Sequence, residues 1–159
     1  MDDVLEGYLQ NHWTAAAAGV SLFHRVARTH GDPAAAVAVG EVAHEIEADR
    51  DTLRGVMRSL DVRPSFIGAV VGRVGAELGR LKPNGRILRR SPLTDVVELE
   101  ALRDAVYGKR CGWESLRTLA DEEPRLDTEL LEELIARADR QLERLRRIHL
   151  AVARERAIA

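Results

Sequence analysis

Five polar residues are spaced so that they would share one layer inside a helical bundle. They are His12, Glu45, Asp49, Lys109 and Gln141. Each except Glu45 interrupts a stripe of apolar residues that repeats at helical spacing, and Glu45 stands one turn before Asp49. Because an unpaired charge is costly to bury, we expect Asp49 to pair with Lys109, with His12 and Gln141 completing the hydrogen bonds.

Three kinds of chemistry fit this predicted layer. The first is a structural network that holds the helices in register, and it ranks first because buried polar layers are common in bundles. The second is an altered mononuclear metal site formed by His12, Glu45 and Asp49, whose side chains are metal-ligand types. The third is a small-ligand or catalytic pocket in which Lys109 or His12 acts as a base.

Four long helices are needed to position these residues, and apolar periodicity predicts them. The predicted helices span residues 3–29, 33–60, 92–120 and 128–156. The turn before the second helix offers Gly31 as a C-cap, Asp32 as an N-cap and Pro33 at the first helical position. Ser91 and Pro92 repeat the N-cap and proline signal at the start of the third helix.

The connection between the second and third helices, about residues 61–91, is long enough to run the length of a bundle. Within it, residues 65–81 are predicted to form a short fifth helix. Glycines at positions 68, 72, 75 and 79 fall on one face of that helix, which favours close packing against another backbone. The alternative is a frayed crossover.

The end of this connection is basic. Arg86, Arg89 and Arg90 precede the start of the third helix with no acidic residue among them. A helix N-terminus beside arginines is suited to a phosphate or another anion. The alternative is a solvated loop that pairs with acidic patches of neighbouring helices.

Two antiparallel helix pairs joined by one long crossover form the ferritin-like arrangement. The whole chain resembles that superfamily in helix number, helix length and crossover position. The stretch GRLKPNGRILRRSPLTDVVELEALRDAVYGK is similar to uncharacterised bacterial ferritin-like proteins. The resemblance implies an all-α, up-down-down-up four-helix bundle and brings no assigned activity.

The ligands of a ferritin-like di-iron site are not found in the expected places. Such a site takes a glutamate from each of two helices and Glu-x-x-His from each of the other two. Glu41 and His44 have that spacing, but they are expected on the outer face because Val42 faces the core. Glu98 is likewise expected to point away from the core. The fourth helix has no Glu-x-x-His, so iron oxidation and iron storage are not expected.

The composition of the chain excludes several classes of protein. Of the 159 residues, 45% are hydrophobic and 31% charged, which indicates one globular domain over residues 1–159. A net charge of −2 argues against a nucleic-acid binder, and no apolar run approaches the roughly 20 residues that cross a bilayer. Cys111 is the single cysteine and the acidic N-terminus does not resemble a signal peptide, so a cytoplasmic location is expected.

These observations lead to two hypotheses. The first is a non-catalytic structural or interaction protein, a homodimer with no cofactor and with an unknown protein partner. The second is a metal-binding protein or enzyme with a remodelled site at the bundle centre. They differ in whether the polar layer closes on itself or encloses a cavity.

Overall fold

The described part of the chain consists of long helices. A computed structural model describes residues 3–65 and 91–158, and within these ranges it contains four α-helices and no strand. They are α1 (Asp3–Thr29), α2 (Pro33–Ser59), α3 (Pro92–Leu119) and α4 (Thr128–Ile158). The all-α prediction is confirmed, with helix ends within two residues of those predicted. No helix in the described ranges is both long and apolar enough to cross a membrane.

Side-chain caps mark the starts of α2, α3 and α4. The Asp32 carboxylate accepts a hydrogen bond from the backbone N–H of Ala35 (2.7 Å), and Pro33 occupies the first turn of α2. Ser91 and Asp127 accept equivalent bonds at the starts of α3 and α4. Each cap satisfies a backbone donor that the first helical turn leaves unpaired.

Gly31 has a different role from the predicted C-cap. Its backbone does not take the left-handed conformation typical of such caps. Instead, a Cβ atom at this position would lie only 2.6 Å from Asp95 Oδ2, and the Gly31 N–H donates to Asp95 Oδ1 (3.1 Å). Glycine is therefore favoured here, because a larger residue would have to displace the Asp95 carboxylate.

The helices form two antiparallel hairpins, α1 with α2 and α3 with α4, which meet through α1–α3 and α2–α4 contacts. His12 lies against Gly112, whereas Gly31 lies against Asp95, so α1 and α3 are antiparallel. Since α2 also runs opposite to α1, α2 and α3 run in the same direction. The helix directions are therefore up, down, down and up.

The connection between the two hairpins starts beside α1. Gln10 Nε2 donates to the carbonyl oxygen of Arg63 (2.7 Å), and Gln10 Oε1 accepts from the N–H of Ser65 (2.9 Å). The predicted fifth helix and its glycine stripe lie outside the described residues. So does the predicted anion site at Arg86, Arg89 and Arg90.

Buried apolar residues form two clusters. The first includes Phe23, Val39, Leu99, Leu102 and Leu145. The second includes Leu9, Trp13, Met57, Trp113 and Leu131. On α2 and α3 the positions between the clusters are held by Asp49 and Lys109, whereas on α4 Gln141 lies between Ala138 and Leu145 of the first cluster. A polar layer therefore interrupts the apolar core.

Candidate functional site

Asp49 is the centre of the polar layer. Its side chain is 2% exposed. Its Oδ1 accepts a hydrogen bond from Arg137 Nη1 (2.8 Å), while its Oδ2 accepts from Lys109 Nζ and from Gln141 Nε2 (3.2 Å). Two cations and an amide thus neutralise and hydrogen-bond one buried carboxylate, which is the condition for burying such a charge at tolerable cost.

Gln141 links this carboxylate to the second acid of the layer. The Gln141 side chain is fully buried. Its Oε1 accepts from Lys109 Nζ (2.5 Å), and its Nε2 donates to Glu45 Oε2 (3.0 Å) as well as to Asp49. Both ends of the amide are paired, as a buried amide requires.

Glu45 forms the outer edge of the layer. Arg144 pairs with Glu45 through Nη1 and with Glu41 through Nη2 (3.1 Å). Burial alone would raise the pKa of Glu45, but the hydrogen bonds from Gln141 and Arg144 outweigh it and hold that pKa below its usual 4.5. Glu45 therefore stays ionised to lower pH than a free glutamate.

Lys109 reaches the layer from α3. Burial lowers the pKa of its ammonium from the usual 10.5, although the negative charge of Asp49 acts in the opposite direction. The ammonium has three N–H groups. The hydrogen bonds to Asp49 and Gln141 use two of these N–H groups, and within the described residues the third has no protein acceptor.

Sequence reasoning missed Arg137 and Arg144. Both lie on α4 about one turn from Gln141, on the same face of the helix. That spacing was the available signal. Long arginine side chains can extend from the edge of a stripe into the interior, so the apolar stripe alone does not reveal them.

Glu45, Asp49, Lys109 and Gln141 come together, but His12 does not join them. Within the described residues the imidazole makes no hydrogen bond or ion pair. A Cβ atom at position 112 would lie 2.8 Å from the Cε1 of His12, so the imidazole occupies the space that Gly112 leaves open. The ring also contacts Tyr8, with centroids 4.6 Å apart and planes tilted by 59°. Burial lowers the pKa of His12 below its usual 6.5.

The register of the α1–α2 hairpin explains this separation. Equal counting from Gly31 puts His12 level with Asp49. In the structure Gly40 lies against Ala27. Nine residues further from the turn on each helix, Asp49 is level with about Ala18, and His12 lies more than one helical turn away. Helix packing, and not the midpoint of the turn, sets the register.

At the level of the polar layer α1 offers only small residues, and a cavity of about 660 Å³ lies there between α1 and α3. Its walls include Ala15, Ala18 and Gly19 on α1. Asp49 and Lys109 form part of its lining. The layer therefore closes on itself among α2, α3 and α4 and borders a cavity on its α1 side.

The described residues do not assemble a group typical of a metal site. Within residues 3–65 and 91–158, no group of three or more His, Cys, Asp or Glu side chains is arranged to hold a metal ion. Glu41 and His44 are exposed, as expected from their helical phase. The expectation for Glu98 was wrong: this carboxylate is buried, 3.7 Å from Arg25, because packing of α1 on α3 covers a wider face of α3 than the apolar stripe.

Comparison with family models, with curated proteins and with solved structures finds no match to this chain. Function has to be inferred from the geometry.

Proposed function

We propose that this protein is a ferritin-like bundle that acts as a non-catalytic structural or interaction protein and neither oxidises nor stores iron. The carrying observation is the pairing of Asp49 with Lys109 and Arg137. At the bundle centre, where a di-iron protein binds metal cations, the carboxylate is already neutralised by cations of the chain.

The electrostatics of this centre oppose metal binding. A metal ion at Asp49 would compete with three hydrogen-bond donors and would meet two positive side chains close by. Like charges at short range in a buried site repel strongly, since little water is present to screen them. The layer is better suited to holding the helices together than to binding a metal ion.

A polar layer of this kind also specifies register. Sliding one hairpin along the other by a helical turn would move Asp49 away from Lys109, Arg137 and Gln141. The charge would then be buried without partners, at a cost of several kcal/mol. The apolar clusters on either side tolerate small shifts far better, so the layer supports a single arrangement of the helices.

The proposal keeps two expectations from the sequence. A homodimer was suggested by the glycine stripe, which lies outside the described residues, and a cytoplasmic location by the single cysteine. Sedimentation equilibrium of the purified chain tests the first. A mass of one chain at all concentrations would remove the homodimer from the proposal.

Elemental analysis tests the absence of a metal centre. Iron, manganese and zinc are quantified per chain before and after incubation with excess metal and desalting, and Fe(II) oxidation is followed in parallel. We expect far less than one metal per chain and no oxidation above the buffer rate.

Two variants locate any metal that is retained. Asp49→Asn removes the central carboxylate, whereas His44→Ala removes an exposed histidine that lies beside Glu47. Stoichiometric metal that is lost with Asp49→Asn and kept by His44→Ala would overturn the proposal. It would favour the alternative of a metal-binding protein or enzyme with a remodelled central site.

A further inference from the structure

The cavity between α1 and α3 has the size of a small-molecule site. Its volume is about 660 Å³, and such sites typically occupy about 300–1,000 Å³. Glycines in both walls leave the space open: nothing lies within 4 Å of a Cβ atom built on Gly19 of α1 or on Gly108 of α3. The cavity therefore has room for a ligand without displacing a side chain.

One end of the cavity is apolar. Leu22 and Phe23 of α1 line it together with Ile46 of α2 and Val106 of α3. These residues belong to the first apolar cluster. An apolar molecule placed there would extend that cluster and gain from leaving water.

Beyond Lys109 the cavity is also lined by Leu9, Leu53 and Leu116 of the second apolar cluster, and hydrogen-bond donors lie among them. Trp113 lines the cavity with 3% of its surface exposed, and its indole N–H is buried without a partner among the described residues. The same holds, in that part of the chain, for the buried Nε of Arg50, which is also a lining residue. Together with the third N–H of Lys109, these donors need acceptor oxygen atoms from a ligand. The oxygens of Asp49 cannot supply them, because they already accept from other donors.

The charges next to these donors favour an anion. Asp49 is paired with both Lys109 and Arg137. Arg50 lies over the Trp13 ring, 4.2 Å from its centroid, and makes no ion pair within the described part of the chain. The other carboxylate of the lining, Asp104, is exposed to solvent. A carboxylate group would therefore supply both the missing acceptors and the missing negative charge.

We propose that this cavity binds a small amphipathic carboxylate, with its apolar body between the alanine and glycine walls of α1 and α3 and its carboxylate beside Lys109 and Trp113. This goes beyond the proposed structural role, because that role requires only the closed network. The two proposals fail in different experiments: metal retained at Asp49 would overturn the first, and absence of carboxylate binding would overturn the second.

Isothermal titration of the delipidated full chain with decanoate tests the proposal. Decanol has the same chain without the charge, and butyrate has the charge without the chain. We expect saturable binding of decanoate, binding at least about tenfold weaker for decanol, and no measurable binding of butyrate. Absence of saturable decanoate binding would overturn the site, and equal affinity for decanol would overturn the carboxylate assignment.

Matched variants locate the binding. Gly19→Leu fills the cavity from α1, while Gly7→Leu makes the same change at an exposed position of α1 outside the cavity. Gly19→Leu should weaken decanoate binding by about tenfold or more and Gly7→Leu should not. Gly108→Leu fills the cavity from α3 and serves if Gly19→Leu does not give a normal helical circular dichroism spectrum. Unchanged affinity in a folded cavity-filling variant would place decanoate elsewhere.

Discussion

Asp49 and Lys109 contribute unequally to the central network. Asp49 is the shared acceptor of Lys109, Arg137 and Gln141, whereas Lys109 is one of three donors to Asp49. Removing the Asp49 carboxylate takes the shared acceptor from two partly buried cations and an amide, which keep only their bonds to Gln141, Glu133 and Glu45. Removing Lys109 leaves the carboxylate with two remaining donors.

We therefore expect Asp49→Asn to lower the free energy of unfolding by about 3–5 kcal/mol, as breaking a buried ion pair does. Lys109→Met, which is similar in shape, should lower it by about 1–3 kcal/mol. Urea denaturation of both variants measures the difference. A larger loss for Lys109→Met would mean that Asp49 is not the centre of the network.

Alanine substitutions at two glycines of α3 measure the effects of helix propensity and of packing separately. Nothing lies within 4 Å of a Cβ atom on Gly108, whereas a Cβ atom on Gly112 would lie 2.8 Å from His12 Cε1. Gly108→Ala should raise the free energy of unfolding by up to about 1 kcal/mol, and Gly112→Ala should gain less or lose stability. Thermal unfolding measures both, and the gain at Gly112 should return in a His12→Ala background if the His12 ring causes the conflict.

Helices could be predicted because their signals are local. Asp32 and Pro33, or Ser91 and Pro92, lie within a few residues of the backbone groups that they cap or start. Apolar spacing over residues 3–29 is also read within one element. Nothing from the rest of the molecule is needed to interpret these signals.

Removing one N-cap measures how much that cap contributes to the free energy of unfolding. Asp32→Ala should lower the free energy of unfolding by about 1 kcal/mol, because the N–H of Ala35 loses its acceptor. Asp51→Ala is a suitable control, since Asp51 is an exposed residue within α2 whose contact with Arg54 is long (3.7 Å). Equal losses in the two variants, measured by urea denaturation, would argue against the cap.

At the scale of the whole molecule, acid should loosen the bundle in two stages. The pKa of His12 is lowered below 6.5 by burial, so the unfolded chain binds more protons than the folded chain below that value. The free energy of unfolding then falls as pH drops from 6.5 through the folded pKa. The pKa of Glu45 is lowered below 4.5, so its contribution is fully present above 4.5 and is lost as pH falls through its folded pKa.

Two variants separate these stages. His12→Gln should flatten the pH dependence of the unfolding free energy just below pH 6.5, and Glu45→Gln should flatten it below pH 4.5. Glu41→Gln is the control for the second, because Glu41 pairs with the same arginine from an exposed position. Urea denaturation across the pH range gives the slopes, and an unchanged slope for Glu45→Gln would contradict the assigned role of Glu45.

The sequence by itself determined the all-α class, the ends of α1 to α4 and the meeting of Glu45, Asp49, Lys109 and Gln141, because these follow from helical spacing and from the cost of burying charge without a partner. Only the tertiary structure decided the rest. Register between packed helices separated His12 from the layer, and long side chains from α4 completed it. Packing placed the small residues of α1 at that level, which leaves a cavity. Each depends on how far one helix is displaced along another, and no pattern within a single helix records that displacement.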